Sequence, residues 1–173
     1  LSTEGQSVTF VYVDGTEGWK NVQDSTSNVT GNPNLIATGG TITTCGNCKI
    51  HTFTGPGSFV VSSISQTAPE NIVSYMVVAG GGGQRGSGHY NGGGGAGGFR
   101  EFKGPAQSYG VSPLNGSTPI TVTATSFPIT VGAGGGANGS DSIFSTITST
   151  GGGGGGSPGN GPGNTGGSGG GGS

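Results

Sequence analysis

The residues of this 173-residue chain that could do chemistry are two cysteines, two histidines and seven carboxylates. The cysteines stand in CGNC, at Cys45 and Cys48, a spacing that serves half a zinc site, a redox pair or a local disulfide. Zinc needs a second pair of ligands, which only His51 and His89 could supply, and no βαβ pattern surrounds the motif for thioredoxin-like exchange. A local disulfide or two packed thiols remain. Gly46-Asn47 separates the apolar runs TITTC (41–45) and CKIHTF (48–53), which is the layout of a two-residue hairpin whose glycine supplies the positive φ of a type II′ turn. That turn sets Cys45 opposite Cys48, where paired Cα atoms lie about 5.5 Å apart, within disulfide reach.

Other chemistries find less support. A nucleophilic serine or cysteine needs an oriented histidine beside it. His51 falls on a hairpin strand and His89 in a glycine-rich loop, so both read as surface or structural histidines. The acids are scattered, and a glycosidase-type pair could be assembled from them only arbitrarily. VDGTEG (13–18) and the stretch 133–142 offer oxygens to calcium, yet neither fits a defined calcium loop. G-x-G-x-x-G recurs by accident in a chain with 44 glycines, and no Lys-Ser/Thr closes a phosphate loop. The chain reads as non-enzymatic, with no cofactor and no metal. Three N-x-S/T sequons, at Asn28, Asn115 and Asn138, are possible glycosylation sites in exposed loops.

The elements that position these residues are strands. The strongest core formers, Leu, Ile, Val and Phe, number 32 of 173, which is disorder-level scarcity, but a net charge of −2 gives none of the self-repulsion that holds polyelectrolytes open. A weakly charged surface of Ser, Thr, Asn and Gly suits an extracellular or virion part. Five scattered basic residues make no patch for phosphate backbones, so nucleic acid is not an expected partner. No apolar run of about 18 residues exists, so no membrane insertion is expected. The chain opens at Leu1 without the basic-then-apolar pattern of an export signal, and so reads as a processed chain or a fragment.

Val, Ile, Thr and Phe carry the apolar positions, with no helical stripe. Candidate strands are 7–13, 34–38, 41–45, 48–53, 58–64, 72–79, 119–125, 128–131 and 142–148, separated by Gly/Pro/Asn/Ser clusters. That pattern predicts an all-β sandwich or barrel. In the first run, SVTFVYV, both faces are apolar: Val8, Phe10 and Tyr12 on one, Val11 and Val13 on the other. Such a strand needs cover on both sides, either within its own domain or by donation to a neighbouring copy. The glycine runs at 80–83, 92–95, 134–136 and 151–156 are each tied to a strand. Polyglycine can adopt an extended threefold helix that packs backbone to backbone, so the first three runs are expected as ordered polyglycine II-like layers. Organisation follows: a strand at 1–13, a polar linker at 14–37, a glycine-rich β domain at 38–156, and a flexible Gly/Ser/Pro tail at 157–173 without an apolar anchor.

The succession TGGTITTCGNCKIHTFTGPGSFVV, SYMVVAGGGG, GGGGAGGFRE, PITVTATSFPITVGAGG and SIFSTITSTGGGGGG resembles the glycine-rich domain of bacteriophage tail-fibre and virion structural proteins. The resemblance implies a non-enzymatic part of an extracellular fibre and, for some relatives, a distal adhesin whose polyglycine helices display recognition loops. The same domain preceded by a donor-like strand is similar to protomers of helical fibrils built by donor-strand complementation. The expectation is a fibre subunit that assembles with copies of itself through Val8, Phe10, Val11, Tyr12 and Val13. The alternative is a receptor-binding fibre tip that recognises a bacterial surface glycan or protein. For that reading the candidate loop is QRGSGHYN (84–91), which concentrates Arg85, His89 and Tyr90.

Overall fold

The computed structural model describes residues 10–12, 19–21, 34–86, 90–159 and 161–172. The chain divides into two units, residues 1–33 and 34–173. In the first, β1 (Phe10–Tyr12) pairs antiparallel with β2 (Trp19–Asn21), setting Phe10 opposite Asn21 and Tyr12 opposite Trp19. Within the stretch read as a polar linker, 14–37, the described residues include β2, whose WKN gives no alternation to detect, and the unit boundary falls after Pro33. Val8, Val13 and Asn28 lie outside the described residues.

The second unit holds β3 (Ile36–Thr38), β4 (Thr41–Cys45), β5 (Cys48–Thr52), β6 (Gly57–Ser63), β7 (Ile72–Val73), β8 (Tyr75–Val78), β9 (Phe99–Phe102), β10 (Ile120–Thr121), β11 (Ser126–Thr130), β12 (Ser142–Phe144) and β13 (Ile147–Ser149). The fold is all-β, and every strand pairing is antiparallel. One sheet has five strands in the order β13-β12-β11-β6-β3, while β4–β5, β7–β10 and β8–β9 are two-stranded.

Period-2 patterning builds the core. Along β6, Phe59 and Val61 are buried while Ser58, Val60 and Ser62 face out. They join Ala37, Val77, Ile120, Val122, Phe144 and Ile147 in one apolar cluster. Phe144 is the hub of its aromatic part, with ring centroids 6.1 Å from Phe59, 6.2 Å from Tyr75 and 6.3 Å from Phe127, all edge-on. Burial raises the Tyr75 phenol pKa, with Arg100 opposing that shift, and its hydroxyl donates to the Thr118 carbonyl at 2.8 Å.

Strands then become glycine runs without a break. β8 continues into 79–83, 92–98 leads into β9, and β13 continues into 150–156. The junction is fastened by Ser149, fully buried, whose Oγ donates to the Val77 carbonyl at 2.7 Å. Where the chain leaves the strand period, the side chains stop and the backbone takes over packing.

Candidate functional site

The six glycines at 151–156 are all buried. A run with no side chains can be buried only if its peptide groups are bonded, since each unpaired buried amide costs about 1–3 kcal/mol. Here all six amides have acceptors, arranged in pairs three residues apart. Gly152 and Gly155 donate to the carbonyls of Gly80 and Gly83 at 2.9 and 3.0 Å, and Gly153 and Gly156 to those of Ser168 and Gly171 at 2.9 and 2.8 Å. Gly151 and Gly154 donate to side chains, Asp141 Oδ1 at 2.8 Å and Asn138 Oδ1 at 2.9 Å. Three directions repeated every third residue are the signature of a helix with three residues per turn.

The segments around this strand close on one another. Residues 79–83 bond to 92–98 (Ala79 to Gly98, Gly82 to Gly95), and 92–98 accept from 168–171 (Ser168 to Ala96, Gly171 to Gly93). Gly170 donates to Asn164, linking 168–171 to 163–167, and Asn164 Nδ2 reaches Asn138 Oδ1 at 2.7 Å. Gly80 and Gly83 complete the circuit by donating to Ser140 and Ala137. The central strand also accepts from the ring: Gly92 and Gly95 donate to Gly156 and Gly153, Asn164 and Gly167 to Gly154 and Gly151, and Gly139 to Gly152. Such spacing leaves no room for a β-carbon: one built on Gly155 would fall on the Gly92 carbonyl oxygen, and one on Gly151 on that of Gly139.

The bundle corrects one expectation outright. Residues 163–171, read as flexible tail for want of an apolar anchor, are docked by backbone bonds that need no side chain. The fourth glycine run, 151–156, is its centre. Sequence reasoning also missed Asp141 and Asn164; the signal available for the first was its three-residue spacing from Asn138, matching the threefold period.

The structure distributes the other singled-out residues as follows. Arg85 is half-buried; its Nη1 donates to Asn164 Oδ1 at 2.7 Å and to the Pro162 carbonyl at 3.3 Å, tying it to the C-terminal segment. Tyr90 is 80% exposed. His89 lies outside the described residues. Asn138 serves the bundle, and Asn115 accepts from the Lys103 amide at 2.7 Å while its Nδ2 donates to the Gly116 carbonyl. Cys45 and Cys48 pair across the hairpin, and Gly46 carries the positive φ (58°) that turn requires. Of the two alternatives left open, a local disulfide or packed thiols, the structure has neither bridge nor burial: both are exposed free thiols, and Cys48 Sγ donates to Gln107 Oε1 at 3.0 Å. His51 is structural, its Nδ1 2.8 Å from the Gly39 carbonyl, which can only accept, and its ring edge-on to Phe59.

Two surface features remain. An open depression of about 400 Å³ lies beside the hairpin, lined by Gly39, Thr41, Thr52, Phe53, Pro56 and Ser58 among others. Tyr109, Val111 and Leu114 stand exposed on the segment after β9, with Lys103 Nζ 5.5 Å from the Tyr109 ring centre.

An antiparallel β domain whose strands run on into a close-packed polyglycine bundle is a glycine-rich β domain. Residues 52–173 match the glycine-rich domain family, and the chain belongs to it. Comparison with curated proteins and with solved structures finds no match.

Proposed function

We propose that this chain is a non-enzymatic structural subunit of an extracellular or virion fibre, assembling with copies of itself in part through its N-terminal strand. The observation that supports this most is the bundle. Its ordered interior is backbone bonded in three directions around 151–156, an arrangement that gives stiffness and presents few side chains for chemistry. The doubly apolar strand Val8, Phe10, Val11, Tyr12 and Val13 supplies the means of polymerisation, because main-chain pairing with a neighbour's sheet covers both of its faces. A second reading, a receptor-binding fibre tip, is favoured by one observation: Tyr90, 80% exposed, stands between two runs of a rigid scaffold.

Electron microscopy of the purified chain beside a version lacking residues 1–13 separates the two readings. Regular filaments from the full chain and none from the shortened one support the fibre subunit. Discrete particles from both sink it, and cell binding that is lost on Tyr90→Ala then supports the tip.

A further inference from the structure

The segment 163–171 differs from every other part of the ring. It contains no apolar side chain, and it reaches the bundle through the connector 157–162, which carries Pro158 and Pro162. What seats it is backbone: Gly153 and Gly156 donate to it, Asn164 and Gly167 donate to the central strand, and Ser168 and Gly171 donate to the 92–98 run. The seat accepts glycine alone at its inner positions, since a β-carbon on Gly170 would fall on the Gly154 carbonyl oxygen and one on Gly166 on the Gly153 amide nitrogen. It is therefore a binding groove, formed by 92–98 and 151–156, for an extended glycine-rich strand pair.

We propose that this groove also takes residues 163–171 of a second copy, so that two chains exchange these segments. The contacts are the same whether the segment comes from its own chain or another, as in any exchange of an identical element between protomers. A neighbour competes once its local concentration reaches the millimolar level at which a short linker holds the chain's own segment. A fibre holds subunits at such density, so the proposal rests on the fibre reading for its setting but uses a surface separate from the N-terminal strand.

Cross-linking tests it on the full chain. In a background of Cys45→Ser and Cys48→Ser, one batch carries G93C and another G171C. The two sites are adjacent through the Gly171 to Gly93 bond, and a β-carbon at either meets only open space or ordinary contacts. The batches are mixed, concentrated and treated with a disulfide-forming oxidant. The expected product is a covalent heterodimer joined through positions 93 and 171, identified by mass spectrometry of the linked peptide, rising with concentration and lost when the G171C chain also carries G170A. Three results overturn the exchange. One is no heterodimer while the double variant G93C/G171C closes within one chain. Another is a heterodimer that survives G170A, which marks mere collision. The third is a double variant that closes neither within nor between chains, since the segment is then not seated on 92–98. Filament loss on deleting residues 1–13 is read separately, so either proposal can fail alone.

Discussion

Gly155 and Gly93 both sit in glycine runs but answer differently to a methyl group. A β-carbon on Gly155 lands on the Gly92 carbonyl oxygen, which is itself fixed within the bundle, so something in the ring must shift. Around Gly93 there is nothing within 4 Å, and Ala96, one threefold turn later on the same outward row, already carries an exposed methyl. Gly136 repeats the relation, with open space around it and exposed Ala133 three residues earlier. Gly155→Ala should therefore cost about 3 kcal/mol through overpacking. Gly93→Ala should be neutral or stabilise by up to about 1 kcal/mol, because alanine narrows the unfolded ensemble without strain. Urea unfolding of the two variants checks this. Equal destabilisation would mean that glycine is required for conformation at both sites and that close packing is not the reason for it.

At the scale of elements, apolar side chains matter most where strands meet the core. Phe144 on β12 touches Phe59, Tyr75 and Phe127, so Phe144→Ala should destabilise by about 3–5 kcal/mol. Ile50 on the β4–β5 hairpin is half exposed, on strands that are almost wholly exposed, and Ile50→Ala should change stability by no more than about 0.5 kcal/mol. Thermal unfolding of both variants ranks them, and a costly Ile50→Ala would show the hairpin packed against something. The same contrast governs what could be read from sequence. β4, β5 and β6 were legible almost to the residue because alternation and the Gly46 turn announce them. SIFSTIT reads as one strand but is two, β12 and β13, since the chain turns at Ser145-Thr146, with φ of 54° at Ser145 and no glycine or asparagine to mark it. β9 went unread because FREF follows a glycine run and interleaves charges. In the site, strand-tied glycine runs pointed to ordered layers. The docking of 163–171 was illegible to any rule that looks for apolar anchors, because backbone bonds hold it.

At the scale of the molecule, two kinds of interior share one chain: an apolar cluster centred on Phe59, Val61 and Phe144, and a polyglycine bundle that buries peptide groups instead. They are joined by continuous strands and by the Ser149 to Val77 bond, so opening the bundle pulls on β8, β9 and β13 together. If that coupling holds, the bundle should open only when the core does, and its amides should exchange by global unfolding. Hydrogen exchange measured residue by residue should then find 151–156 among the slowest amides in the chain, matching the protected amides of β6 and β12. Protection there should reach at least about a thousandfold, as for elements that open only with the whole domain. The exposed hairpin β4–β5 should exchange faster, having little buried surface to lose. Fast exchange at 151–156 beside slow exchange in β6 would mean that the bundle melts on its own, and a fibre wall built from it would then be soft where the proposed function needs it to be stiff.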